Sequence, residues 1–250
     1  MKQEILNALE KIEQTENVRI LLAVESGSRA WGFASPDSDY DVRFIYIRPK
    51  DEYLRLETCR DVIELPLSDD LDINGWDLRK ALRLLHKSNP TLFEWFSSPV
   101  VYRKTEFANQ FKAMMGQSFS SKRGLYHYIS MATGNYREYL KNDMVKAKKY
   151  FYVLRPILAC RWILDQGTPP PMLFSELMES ELSPALRPDV ERLLELKMNS
   201  PEVKMIPQIK KLNEYLDSSI QEINHAILSL PEESKSSWNG LNALFLSQFK

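Results

Sequence analysis

The chain has 250 residues, 44% hydrophobic and 27% charged, a composition that excludes disordered and fibrous-repeat classes and leaves room for one large or two modest domains. Its 33 basic and 34 acidic residues give a net charge of -1, so no chain-wide positive field draws it to nucleic acid, and any such contact must come from a local patch. Cys59 and Cys160 lie far apart without a CxxC or Cys/His cluster, which argues against disulfide dependence and structural zinc and fits a reducing cytoplasm. The apolar run Ile20–Val24 is too short to span a bilayer, so neither a secretion signal nor a membrane segment is expected.

Ile5, Leu6, Leu9 and Ile12 recur at helical spacing within residues 2–14, and Val18 to Val24 then reads as a buried strand. A second strand, Asp41 to Ile47, stops at Arg48-Pro49. The third runs from Asp61 to Leu67 and ends at Pro66 and the acidic Ser68-Asp69-Asp70. A short strand from Leu71 to Gly75 follows. Asp77 then caps a helix bearing Leu78, Ala81, Leu82 and Leu85, which ends at Ser88-Asn89-Pro90 because the residue before proline avoids helical geometry. Thr91-Leu92-Phe93-Glu94 has the form of a capping box, which gives Glu94 a structural role. The first ~115 residues therefore read as α+β. Beyond the small, polar stretch from Gly116 to Gly124 the spacing is helical, interrupted by Pro156, Pro169-Pro170-Pro171, Pro184, Pro201 and Pro231. The expected division is a domain over 1–115 and a helical one over 116–250, with the boundary between 115 and 123.

The chemistry concentrates in residues 25–42. An apolar strand leads into Gly27-Ser28, and ten residues later Asp39-Tyr40-Asp41 opens another strand. Alternate strand residues share a face, so Asp39 and Asp41 aim both carboxylates at one point, a donor set suited to Mg²⁺ with substrate phosphates. Gly27 lets backbone N–H groups approach a phosphate, and the Ser28 hydroxyl adds a donor. Arg43 shares the face of Asp41 and either pairs with an aspartate or meets a phosphate. Arg29 has the same two readings. Trp31 and Phe33 either stack on a base or pack beneath their loop. Lys141, Lys148, Tyr152 and Arg155, at intervals of seven, four and three, read as one helix face, with Lys149 and Tyr150 adjacent. Such a stripe is either a solvated face or a grip on phosphate, and Pro156 removes one hydrogen bond from that helix. His86, His127 and His225 show no mutual ligand spacing. A P-loop is excluded: Gly27 and Gly32 have its spacing, but Phe33-Ala34 stands where Lys-Ser/Thr is required.

The apolar strand, Gly27-Ser28, the ten-residue interval and Asp39-Tyr40-Asp41 resemble the signature of the DNA polymerase β-like nucleotidyltransferases. Together with Asp77-Leu78-Arg79-Lys80, Asn89-Pro90, Glu94-Trp95, Lys149-Tyr150 and Arg155-Pro156, they are similar to a bacterial and phage group that includes RNA-repair-associated polymerase β-like proteins. The resemblance covers residues from about 18 to 175. It implies a mixed-sheet catalytic domain and a helical domain closing a nucleotide cleft. It further implies a third carboxylate on a neighbouring strand, for which Asp72 and Asp77 compete; Asp72 is favoured because capping suffices for Asp77, while Asp69 and Asp70 sit in a turn. By the same resemblance, Asp39, Asp41 and Asp72 hold Mg²⁺, with Mn²⁺ as an alternative, and Gly27, Ser28, Arg29, Lys148, Lys149, Tyr152 and Arg155 bind the nucleotide. The implied reaction moves NMP from an NTP to an acceptor hydroxyl on RNA, a nucleotide, a small molecule or a protein. The competing expectation is a nucleotide sensor or antitoxin-like module that binds without turnover.

Overall fold

In a computed structural model of the chain, residues 1–65, 70–199, 204–231 and 237–249 are described, and they form an α+β fold that divides into two compact units. The first holds residues 1–30 and 39–119 with the C-terminal helix; the second holds 31–38 and the elements between residue 119 and that helix. One division falls between residues 119 and 120, inside the expected 115–123 window, and two exchanges are added to it: the 31–38 segment packs with the helical unit, and the apolar face of the last helix packs with the N-terminal core. Residue 115 itself lies inside a helix.

The first unit is built on a five-stranded mixed sheet. Helix α1 (Lys2–Thr15) precedes β1 (Arg19–Glu25), a single turn α2 (Gly27–Ala30) follows, and β2 (Tyr40–Ile47) returns antiparallel to β1. A 3₁₀ turn over Lys50–Leu54 leads to β3 (Val62–Glu64) and β4 (Leu71–Asp77). Helices α3 (Leu78–His86) and α4 (Pro90–Phe96), the edge strand β5 (Val101–Lys104) and α5 (Glu106–Ser118) complete it. The strand order is β3-β4-β2-β1-β5, with β2 and β4 parallel and every other pair antiparallel. The predicted third strand is shorter than expected; its later part and Asp69 lie outside the described residues, while Asp70 stands in the turn before β4 and accepts a hydrogen bond from the Tyr40 N–H. The fourth strand is longer than expected, running to Asp77. The strand β5 and helix α4 carry little periodicity in sequence, whereas α5 buries Phe107, Ala108, Phe111 and Met115 at helical spacing.

Period-two alternation assigns the two faces of the sheet. Val42, Phe44 and Tyr46 pack with Ile5, Leu9 and Ile12 of α1, whereas Ile45 and Ile47 pack with Leu78, Leu82 and Leu85 of α3, Phe107 and Phe111 of α5, and Leu241 and Leu244 of the Trp238–Ser247 helix. Gly75 is required on β4, because a Cβ there would stand 2.2 Å from the Phe44 ring on the adjoining strand. Helix α4 begins at Pro90 with Asn89 as its cap, its side chain accepting from the Thr91 N–H at 3.0 Å. The expected capping box at Thr91 and Glu94 is therefore displaced: the helix is already running there.

The second unit contains α6 (Ser121–Tyr139), β6 (Met144–Lys146), α7 (Ala147–Gln166), α8 (Phe174–Glu181), α9 (Arg187–Met198), β7 (Met205–Pro207) and α10 (Lys210–Leu228). The all-helical expectation is corrected by the small β6-β7 antiparallel pair. A buried polar knot joins α6, α7 and α10: Tyr150 donates to Asn213 Oδ1 at 2.8 Å and accepts from the Ile209 N–H, while Asn213 Nδ2 donates to the Leu140 carbonyl. Helix α7 continues through the buried Pro156, and the expected break at Pro201 lies outside the described residues. Among the described residues no helix is long and apolar enough to cross a membrane.

Asp77 joins strand to helix. Its Oδ1 accepts from the Arg79 N–H at 2.7 Å, and its Oδ2 accepts from the Tyr53 hydroxyl at 2.7 Å. Replacing it with alanine removes the cap and takes the acceptor from the part-buried Tyr53 hydroxyl, so Asp77→Ala should lower stability by about 2 kcal/mol, read as a shift in urea midpoint at unchanged slope. Asp77→Asn, which still caps, should recover most of the loss; equal midpoints for the two variants would refute this role.

Candidate active site on the mixed sheet

The parallel β2-β4 register sets Asp41 directly beside Asp72. Neighbouring residues of paired strands project to the same face, so the two carboxylates lie together and repel unless a cation intervenes. Arg43, two residues along the same face of β2, supplies it. Its Nη2 donates to Asp41 Oδ1 at 3.1 Å and to Asp72 Oδ2 at 2.7 Å, and its Nη1 donates to the Val42 and Asp72 carbonyls. Of the two readings open for Arg43 in the sequence, the structure shows the ion pair. Asp77 pairs in register with Tyr46, five residues further along both strands, and is directed to its capping contacts.

Asp41 is held from several sides. Gly27 adopts φ +59, and a Cβ on it would fall 2.0 Å from Asp41 Oδ2, so only glycine lets the turn pass this close to the carboxylate. The Ser26 N–H donates to the Asp41 carbonyl at 2.8 Å. The Asp41 N–H in turn donates to Glu25 Oε1 at 2.7 Å, while the Tyr102 hydroxyl donates to Glu25 Oε2. Burial pushes the Glu25 carboxyl above its ordinary range, against the lowering effect of those two donors. Sequence reasoning gave Glu25 no role; its signal was a carboxylate closing an otherwise apolar strand. Its partner Tyr102 sits on β5, the strand that the sequence did not announce.

Asp39 lies just before β2 and is exposed. Its carbonyl accepts from Arg29 Nε at 3.1 Å, and the Arg29 guanidinium lies 3.7 Å over the Tyr40 ring, so Arg29 braces the turn that carries Asp39. Ser28 is half-buried in α2. Among the described residues, no three carboxylate, imidazole or thiol groups converge closely enough to form a metal cage, so the expected convergence of Asp39, Asp41 and Asp72 is only in part assembled: Asp41 and Asp72 meet, and Asp39 stands apart. The donor set nevertheless fits a positively charged group. Hard carboxylate oxygens from two strands already share one cation, and the Gly27 turn leaves Asp41 Oδ2 uncovered by any side chain of its own.

Within the helical unit the expected stripe is rearranged. Lys141 lies before β6 rather than on α7, over the Tyr136 ring and 3.9 Å from Asp217. The chain turns through β6 before the helix begins, so the seven-residue interval to Lys148 has no helical meaning. Lys148, Lys149 and Tyr152 are half-buried on α7, with the Lys149 ammonium 3.6 Å over the Tyr139 ring. Arg155 is buried rather than part of a solvated face: its guanidinium lies 4.6 Å from the Trp31 ring and donates to the Met172 carbonyl at 3.5 Å. Trp31, Tyr152 and Arg155 line an apolar cavity of about 200 Å³. Phe33 is core, packed against Phe151 and Phe174.

Two predictions follow from the Asp41 supports. Gly27→Ala combines left-handed backbone strain with a collision at Asp41, and should cost about 1–3 kcal/mol in denaturant unfolding; a variant as stable as wild type would refute the close approach. Glu25 has a folded-state pKa raised above its unfolded value. Below the unfolded value both states are protonated; as pH rises past it, the unfolded state ionises first, so stability falls until the raised folded value is passed and is then level. Glu25→Gln should abolish the part of the pH-dependent fall in melting temperature that begins near pH 4.5; an unchanged pH profile would assign the fall elsewhere.

Comparison with known proteins places the chain. It is 49% identical over 249 residues to the uncharacterized protein YcgL of Bacillus subtilis, covering 99% of this chain and 96% of that protein. A crystal structure of a nucleotidyltransferase-like protein from Exiguobacterium sibiricum aligns over 89% of this chain and 74% of its own, at 14% identity and a TM-score of 0.32, a likeness too slight to bear on the site. The family model described as RlaP, RNA repair pathway DNA polymerase beta family, matches residues 1–247, and the chain belongs to that family.

Proposed function

We propose that the protein transfers a nucleoside monophosphate from an NTP to an acceptor hydroxyl and releases pyrophosphate. The observation that carries this reading is the pairing of Asp41 with Asp72 across parallel strands, with the Gly27-Ser28 turn packed against the Asp41 carboxylate. Family membership supports it. In the reaction the acceptor oxygen forms a bond to the α-phosphorus as the bond to the α,β-bridging oxygen breaks, and the hydroxyl proton is lost to solvent. Asp39, Asp41 and Asp72 would hold Mg²⁺ or Mn²⁺, which when bound lowers the acceptor pKa and offsets charge on the departing pyrophosphate. Gly27 and Ser28 bind the β- and γ-phosphates through backbone N–H groups and the Ser28 hydroxyl. Arg43, released from its carboxylates, is close enough to the same oxygens to orient a phosphate. Arg29 fixes the Asp39-Tyr40 peptide. Lys148, Lys149 and Tyr152 are the nucleotide-binding side chains proposed for the helical unit, and Arg155 positions Trp31 behind them.

A second reading, nucleotide binding without turnover, is favoured by one observation: Arg43 engages both carboxylates. Pyrophosphate release from each of the four NTPs, with Mg²⁺ or Mn²⁺ and with or without pooled RNA, separates the two. Asp41→Asn/Asp72→Asn should reduce metal-dependent release by about a hundredfold or more while the variant remains folded. Release that survives this substitution would overturn the assignment, whereas saturable NTP binding with no release across acceptors would establish the binder.

A further inference from the structure

The first unit carries a second cavity, of about 490 Å³, at the other end of β2. Asp41 and Arg48 are seven residues apart on an extended chain, which separates this cavity from the paired carboxylates by roughly 20 Å. Six cationic side chains line it: Arg48, Arg55, Arg60, Arg79, Lys80 and Arg83. In a chain of net charge -1, this is the local basic patch that any contact with a polyanion requires.

Four carboxylates also line the cavity, Glu52, Glu57, Asp61 and Asp77, so the cations outnumber them by two. Asp77 is buried and turned to the Tyr53 hydroxyl and the Arg79 N–H; Glu52 is paired with Arg55 at 2.8 Å, and Asp61 with Lys80 at 3.0 Å. Arg60 reaches Glu64 at 2.5 Å. Arg79 and Arg83 have no ion pair among the described residues, whereas Arg48 is paired with Glu16 at 3.8 Å. Arg79 is preorganised rather than floppy, with its guanidinium 4.6 Å from the Tyr53 ring and 5.8 Å from the Phe245 ring and a hydrogen bond to the Tyr53 carbonyl. Arg83 lies one helical turn further along α3 on the same side, exposed, with no ion pair among the described residues. Arg48 Nη1 donates to the Glu16 carbonyl at 3.2 Å, while its Nε is buried without a hydrogen-bond partner among the described residues. A buried donor left unmet in a cationic pocket points to an anionic acceptor.

We propose that this cavity is a second anion site, distinct from the paired carboxylates, where Arg48, Arg79 and Arg83 bind a phosphate-bearing ligand. Arginine forks match phosphate oxygens in bidentate fashion, and three of them converging from a strand end and one helix face suit phosphate better than a single carboxylate. The phosphate is carried either by a free small molecule or by the backbone of an oligonucleotide. The inference does not depend on turnover at the first site.

The test compares wild type with Arg48→Gln/Arg83→Gln, which leaves the Arg79-Tyr53 stack in place, and with Lys112→Gln, which removes an exposed cation of α5 outside the cavity lining. Two probes are titrated without divalent metal: pyrophosphate by calorimetry and a fluorescein-labelled 12-nucleotide RNA by anisotropy across a salt series. The double variant should weaken at least one probe about tenfold or more, while Lys112→Gln matches wild type. Loss confined to the RNA, with a log–log salt slope shallower by about 1.4 for two lost phosphate contacts, identifies a backbone site; loss of pyrophosphate binding identifies a small-molecule site. Affinities for both probes unchanged by the double variant, or no binding of either probe to wild type, would overturn the proposal. Thermal unfolding and an Arg48→Lys/Arg83→Lys variant, which keeps the charge, guard against a folding artefact.

Discussion

Two carboxylates fixed side by side on parallel strands are an unfavourable arrangement in an unliganded sheet, and the site depends on how that repulsion is met. The chain meets it with Arg43, placed by strand periodicity on the same face and bonded to both Asp41 and Asp72. All three side chains are part-buried, at 19% exposure for the arginine and 30% and 33% for the aspartates, so the pair lies between the surface regime, where ion pairs contribute little, and the buried regime, where desolvation dominates.

The surroundings of Asp41 serve the same end. Its backbone is pinned through both its N–H and its carbonyl to the end of β1, and its side chain is approached by a turn that tolerates no Cβ. Glu25 adds a buried negative charge nearby, at a cost that its hydrogen bonds only in part offset. A buried carboxylate that exists to hold a neighbouring backbone is an expensive brace, and its value is positional: it fixes where β2 begins.

What the sequence made legible follows the range of the forces involved. Local patterns were readable: the alternation along β2, the cap at Asp77, the glycine turn, and the odd spacing that sets Asp72 and Asp77 on opposite faces of β4. The mixed sheet came through resemblance. Long-range facts were not readable. Nothing local says that Tyr102 on an edge strand will reach Glu25, or that Lys197 on α9 will be buried with its ammonium donating to Ser35 at 3.2 Å and Ser38 at 3.1 Å. The stripe on α7 misled for a related reason. Spacing alone cannot locate a helix start, so Lys141 was counted on a helix it precedes, and it cannot tell a solvated arginine from one covered by an aromatic ring.

The discontinuity of the first unit has a consequence for biogenesis. Its sheet is covered on one face by α3, α4 and α5 together with Leu241 and Leu244, and Phe245 and Phe249 pack around Tyr53. A ribosome delivers β1 to α5 first, then residues 120–234, and only afterwards that last helix. At typical elongation rates the delay is on the order of ten seconds, long compared with the folding of a small domain. Throughout it the nascent sheet carries an unfinished apolar face, which closes only when the Trp238–Ser247 helix has emerged.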